Sequence, residues 1–208
     1  MRSLTSADDA VTISPPSFAD VEAITTACQD PAVAAWTTVP SPYRVEHARG
    51  FVTHVTDAWA LLVANPPSEL DVEATWAVRE GDSRAPLAGM IGLRLEGDRS
   101  AEIGYWLAPQ ARGRGVMTRA ARLAVDFGFD AEGLDLERIA WSAFVGNWAS
   151  WSVAWRTGFR FEGQVRRHAV QRGVRRDSWV GTLLRDDRRE PVAPWPATSL
   201  VVPTPPQG

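Results

Sequence analysis

Between residues 75 and 108 apolar and polar positions alternate in three short runs, "TWAVRE", "PLAGMIGLRLE" and "SAEIGYWLA", divided by glycine and charged turns. That period of two predicts three strands joined as an antiparallel meander. The period then changes. In "VMTRAARLAVDFGF", Val116, Ala120, Leu123, Ala124 and Phe127 recur at helical spacing and predict an amphipathic helix. "RIAWSAFV" returns to strand, and "NWASWSVAWRT" to a helix ended by Gly158. "FRFEGQVRRHAV" and "RRDSWVGTLL" then form a final hairpin across "QRG". Upstream, "AVTIS" reads as a short strand, and Ser17 as the N-cap of a helix with Asp20 and Glu22 near its start and Pro31 as its limit. "WTTVPSPYR" is an extended loop, followed by a second helix over residues 45–61 with Phe51, Val55, Ala58 and Leu62 near helical spacing. This alternation of strands and helices belongs to the α/β (α+β) class.

Composition narrows the picture without changing it. A chain of 208 residues with 45% hydrophobic content fits one domain over residues 1–190, and the last eighteen residues, 191–208, form a tail with six prolines. No stretch approaches the roughly 20 apolar residues that span a bilayer, which predicts a cytoplasmic protein with no membrane partner. Cys28 is the only cysteine, which excludes an intrachain disulfide and disfavours a thiolate metal site; it reads as core packing. Charge is graded. Residues 1–80 hold eleven acids against four arginines, whereas residues 160–190 hold nine arginines against five acids. One end thus suits cationic partners and the other anionic ones. The histidines at 47, 54 and 168 show no partner pattern.

The stretch "QARGRG" stands where the third meander strand meets the amphipathic helix. A helix N-terminus offers unpaired N–H groups and a partial positive charge. Gly113 and Gly115 remove side chains that would hold a phosphate away, and Arg112 and Arg114 add charge. A plain surface turn and a fragment of arginine-glycine nucleic-acid-binding sequence are the competing readings, the latter weakened by a single copy in a net acidic chain. The stretch is neither a Walker A loop nor a dinucleotide fingerprint.

"AEIGYWLAPQARGRGVMTRA" resembles motif A of the GNAT superfamily of acyl-CoA-dependent acetyltransferases, matched at Gln110, Gly113 and Gly115. "NWASWSVAWRTGF" resembles a pattern of the RimJ/RimL branch, matched at Asn147, Ser150, Val153, Gly158 and Phe159. The resemblance covers roughly residues 10–185. It implies the GNAT fold, a mixed, mostly antiparallel sheet with flanking helices whose fourth and fifth strands splay around the pantetheine arm of acetyl-CoA. Backbone groups near Tyr105, Trp106 and Leu107 would bond that arm, and N–H groups from Arg112 through Gly113, Arg114, Gly115 and Val116, with Met117 and Thr118, would hold the pyrophosphate. An N–H near Leu107 would also steady an oxyanion. Ser150 matches the serine to which this branch assigns proton donation to the departing thiolate, and Asn147 would position the coenzyme arm. Simple helix capping is the alternative for both.

For the base, Glu102 is the first candidate, on the strand feeding the phosphate loop and on the same face as Gly104 and Trp106. In the resembled family the acceptor pocket forms from the segment joining the first two helices, here residues 36–43, so Trp36 and Tyr43 are substrate-binding candidates. Loop packing competes for these two. The stripe of Trp148, Trp151 and Trp155 lies on the side of its helix away from Asn147, Ser150 and Ala154, and would pack in the core or receive Trp195 of the tail or a second subunit. The expected activity is acetyl transfer from acetyl-CoA to a primary amine of a protein N-terminus or small molecule, with no metal and no nucleic acid. Another acyl-CoA, or a non-catalytic acyl-CoA-binding regulator, remains open, as does a homodimer.

Overall fold

The structure, a computed structural model, describes residues 3–65, 67 and 70–191. Eight strands form one sheet: β1 (Leu4–Thr5), β2 (Val11–Ser14), β3 (Glu73–Glu80), β4 (Leu87–Gly97), β5 (Ser100–Leu107), β6 (Arg138–Phe144), β7 (Arg160–Gln171) and β8 (Val174–Leu184). Their order is β1-β2-β3-β4-β5-β6-β8-β7. Every neighbouring pair is antiparallel except β5 with β6. Around the sheet lie α1 (Val21–Gln29), α2 (Pro31–Trp36), α3 (Val45–Ala64), α4 (Val116–Phe129) and α5 (Trp148–Thr157). The mixed, mostly antiparallel sheet with flanking helices matches the expected fold class. β1 was not anticipated, so the splayed pair expected as fourth and fifth strands is here β5 and β6, the one parallel pair of the sheet.

Alternation along β4 distributes side chains to the two faces. Ile91, Leu93 and Leu95 join Val116, Ala120 and Ala124 of α4 in the larger core, while Met90 joins Val21, Ile24 and Cys28 of α1 and Val52 of α3 in a second cluster. Gly92 and Arg94 share the face of Met90 but line an open cleft there.

α1 ends at Gln29, before Pro31 as expected. The short α2 that Pro31 opens was not anticipated; at its start Asp30 Oδ1 accepts from the N–H groups of Ala32 and Val33, both at 3.1 Å. Proline at the first helical position lacks only an N–H that would have no helical partner. Asp20 does more than favour a helix start. Its carboxylate is buried and accepts two bonds from Arg79, Nη1 to Oδ1 at 3.0 Å and Nη2 to Oδ2 at 2.8 Å. Arg79 Nε also donates to Ser14 Oγ at 2.9 Å, so the pair ties α1 to β2 and β3. Asp20→Ala leaves a buried guanidinium without its anion and should cost about 3–5 kcal/mol in denaturant unfolding. A loss under about 1 kcal/mol would mean that the pair behaves as a surface bridge.

Candidate active site

The parallel register of β5 and β6 covers only Ser100–Ile103 against Arg138–Trp141. Both strands continue beyond it with other partners, β5 along β4 to Leu107 and β6 along β8 to Phe144. A gap therefore opens between residues 104–107 and 142–144. Ala108 N–H donates to Ala88 O at 2.8 Å, which places that pair in hydrogen-bonded register. Antiparallel alternation then turns the amides of Tyr105 and Leu107 away from β4, into the gap. The Leu107 carbonyl there accepts from Arg112 Nε at 3.2 Å and Nη2 at 3.0 Å.

Ser150 sits at the root of this gap. Trp141 Nε1–H donates to Ser150 Oγ at 3.0 Å, Ser150 Oγ–H donates to Tyr105 Oη at 3.1 Å, and Tyr105 O–H donates to the Ser150 carbonyl at 3.0 Å. Burial raises the Tyr105 phenol well above its ordinary range and keeps it neutral. Asn147 caps α5, its Oδ1 accepting from Ser150 N–H at 3.1 Å. The capping reading of Asn147 thus holds, and the same side chain also lines the cavities described next.

Two cavities meet at this point. A groove of about 420 Å³ runs from Gly113, Gly115 and Thr118 along Leu107 to Ser150. A cleft of about 590 Å³ lies on the α1/α3 face of the sheet, over Glu73, Gly92, Arg94, Glu102 and Gly104. Both are lined by Trp36, Thr37, Tyr105, Trp106, Asn147 and Ser150.

The phosphate-loop candidates divide. Gly113 and Gly115 both have positive φ, +79° and +75°, and Gly115 is the N-cap of α4. A Cβ at Gly113 would meet nothing within 4 Å, but its backbone conformation resists any other residue. The side chains of Val116 and Met117 are buried, so the groove meets them at the first turn of α4. Arg112 lines the groove and pairs with Asp30 at 2.9 Å, which holds the Asp30 carboxyl below its usual range. Arg114 turns to Glu80 at 2.7 Å and does not line the groove. Gln110 borders a separate depression, because the short turn at Pro109–Ala111 faces α1.

Glu102 lines the cleft with both oxygens engaged, by the Ser142 hydroxyl and by Arg94. Of the two acceptor candidates, Trp36 lies at the junction, whereas Tyr43 is buried with Cys28 in the α1/α3 core and lines neither cavity. The tryptophan stripe also reaches further than expected. Trp151 packs edge-on against Trp141 and Trp179, at 5.9 Å and 4.7 Å between ring centroids, so the ring cluster holds the donor that bonds Ser150. The tail, with Trp195, lies outside the described residues. Among the described residues no group of three or more His, Cys, Asp and Glu could hold a metal ion, and no helix is long and apolar enough to cross a membrane.

The family model described as Acetyltransferase (GNAT) domain matches residues 10–160. The chain belongs to the GNAT acetyltransferase family. Bacillus subtilis YdaF, named "Putative ribosomal N-acetyltransferase", is 40% identical over 101 residues, 48% of this chain and 54% of YdaF. YjcK of the same organism, a "Probable N-acetyltransferase", is 37% identical over 89 residues, 43% of this chain and 48% of YjcK. The chain thus matches about half the length of these curated relatives. Mycobacterium smegmatis RimJ, solved in complex with CoA-disulfide, superposes with a TM-score of 0.70 at 21% identity, over 88% of this chain and 86% of RimJ. That superposition is a likeness of fold.

For this GNAT chain the sequence left three supporting side chains unassigned: those of Trp141 and Gln171, and the phenol of Tyr105, for which the resemblance gives only the backbone a role. Gln171 reads as part of the "QRG" turn, yet it is buried at the end of β7. Its Nε2 lies 3.2, 3.0 and 2.7 Å from the carbonyls of Ala34, Ala35 and Thr37. Arg172 and Arg176 add bonds to Ala34, Val39 and Ala35. The hairpin tip thereby fixes the wall that carries Trp36. Gln171→Met removes these donors at similar volume, and amide exchange over residues 33–39 should accelerate about tenfold, as one lost buried hydrogen bond implies. Unchanged exchange would show that packing alone holds the wall.

Proposed function

We propose that this chain is a cytoplasmic N-acetyltransferase that moves an acetyl group from acetyl-CoA to a primary amine by direct attack. The observation that carries this reading is the meeting of two cavities at Ser150, one led from a glycine-shaped helix N-terminus and the other open on the opposite side of the gap. Two substrates entering from different sides would find their reactive ends together there. Positioning of that kind supplies much of the rate in a bimolecular transfer.

The residues present fit the coenzyme. Gly113 and Gly115 shape a concave backbone at the start of α4 that suits a pyrophosphate. The inward amides of Tyr105 and Leu107 suit the amide groups of a pantetheine arm lying along β5 in the manner of an added strand. Acetyl-CoA supplies an activated acyl group and a thiolate leaving group. Ser150 Oγ faces that departure point with its hydrogen held toward Tyr105. Rotation about one C–O bond aims this hydrogen into the gap, and the Trp141 Nε1–H donor then stabilises charge building on Oγ. Asn147 fixes the turn that presents Ser150.

The acceptor class proposed first is the free amino terminus of a protein, on the strength of the likeness to YdaF. Thiol release from acetyl-CoA, measured over N-terminal peptides, polyamines and aminoglycosides, tests both halves of the reading. Ser150→Ala should lower kcat about 100-fold or more with coenzyme affinity unchanged. Coenzyme binding without turnover on any acceptor would replace the enzyme by a binding regulator, and absence of binding would remove the phosphate-loop reading. Gly113→Ala, which strains a positive-φ position by about 1 kcal/mol or more, should weaken coenzyme binding at least fivefold by calorimetry.

A further inference from the structure

The acceptor cleft holds two carboxylates in different states. Glu102 is committed to Arg94 and Ser142. Glu73 is not. Among the described residues its one hydrogen-bond partner is the Thr75 hydroxyl, which donates to Oε1 at 2.9 Å, and it stands in no ion pair. The register sets Glu73 opposite Arg94, yet the Arg94 guanidinium turns the other way, to Glu102 and Glu96. Among the described residues that line the cleft, Glu73 and Glu102 stand against one arginine, Arg94, with His168 the other titratable group, so the floor carries an excess of acid.

Two glycines place that charge. Thr75, Gly92 and Gly104 are consecutive register partners across β3, β4 and β5 and share the cleft face. The Glu73 carboxylate folds over Gly92 so closely that a Cβ built there would collide with Oε1. Beside it, a Cβ built on Gly104 would meet nothing within 4 Å. The absent side chains make a trough one strand wide, with the free carboxylate on one wall. Its far end is the gap beside Ser142 and Ser150. Neighbouring strands stand about 4.8 Å apart, so the carboxylate over Gly92 lies about one strand spacing from the void over Gly104.

We infer that Glu73 is the anion that receives the ammonium group of the acceptor, and that the Gly92–Gly104 trough is the seat in which that group is held until it loses a proton to water and attacks as the neutral amine. This rests on the acetyltransferase reading of the site and names how its second substrate is recognised. It selects cationic primary amines over neutral nucleophiles of the same shape. It also separates the two glutamates: Glu73 binds the substrate, while Glu102 braces Arg94 and Ser142.

The test uses the full chain saturated with CoA. Calorimetry follows binding of a hexapeptide with a free amino terminus, of the same peptide N-acetylated, and of spermidine, to wild type, Glu73→Gln, Glu102→Gln and Gly104→Ala. Gly104→Ala fills the trough without a clash and therefore tests it without disturbing the sheet. The expected result is loss of at least tenfold in affinity for the free-amine ligands in Glu73→Gln and Gly104→Ala, with CoA affinity unchanged and a smaller loss in Glu102→Gln. In acetyl transfer the same two variants should raise the acceptor KM at least tenfold while kcat changes less than threefold. Free and acetylated peptides binding wild type equally, or Glu73→Gln binding free amines like wild type, would overturn the inference. Amine binding that depends on Glu73 with no acetyl transfer in wild type would leave the seat standing and refute the enzymatic reading instead.

Discussion

Everything in the site depends on where hydrogen bonding between β5 and β6 stops. Parallel pairing ends at Ile103 and Trp141, although each strand continues and stays paired on its other edge. A free strand edge inside a protein must find partners or stay wet. Here the first turn of α5 enters at the point of divergence, and the Ser150 hydroxyl bonds one side chain from each strand, Tyr105 from β5 and Trp141 from β6. The gap is therefore held open by specific bonds at its root. The unpaired amides along β5 become the natural rail for an extended polar ligand.

Electrostatics around the gap are arranged by arginines alone, since the chain has no lysine. Arg112 pairs with Asp30, Arg114 with Glu80 and Arg119 with Asp8, whose carboxyl is lowered to about 2 by the Ser6 hydroxyl and by Arg119. The positive charge of the loop is thus partly answered before any ligand arrives, which leaves the glycine-shaped backbone as the main anion-facing feature. Asp30 has a second duty as N-cap of α2, so one carboxylate joins the phosphate loop to the helix that ends at Trp36. On the acceptor side that helix and the loop after it are held by Gln171, Arg172 and Arg176 from the opposite edge of the sheet.

Periodicity made the meander, α3, α4, α5 and the final hairpin legible, because each buries one face against a long partner. β1 has two residues and α2 six, too short for a period to register. Pro31 marked the limit of α1 correctly, but that it also opens a new helix depends on the capping carboxylate of Asp30 before it. Among candidate site residues, motif spacing singled out Gly113, Gly115, Asn147 and Ser150, whose placement follows from backbone shape at helix starts. It did not identify Tyr105 as a side-chain partner, nor Trp141, Gln171 or Glu73, whose positions follow from pairing between segments far apart in sequence. Tyr43, a substrate-binding candidate with packing as the alternative, is a core residue because α1 and α3 close over it.

The central claim is that the β5–β6 gap holds the coenzyme with its reactive end at Ser150. A crystal structure of the protein with CoA tests it most directly. Pantetheine should lie along residues 105–107, pyrophosphate at the turn before α4, and the sulfur within about 3.5 Å of Ser150 Oγ, near hydrogen-bond distance. Coenzyme bound elsewhere, or in the groove with its sulfur pointing away from Ser150, would contradict it.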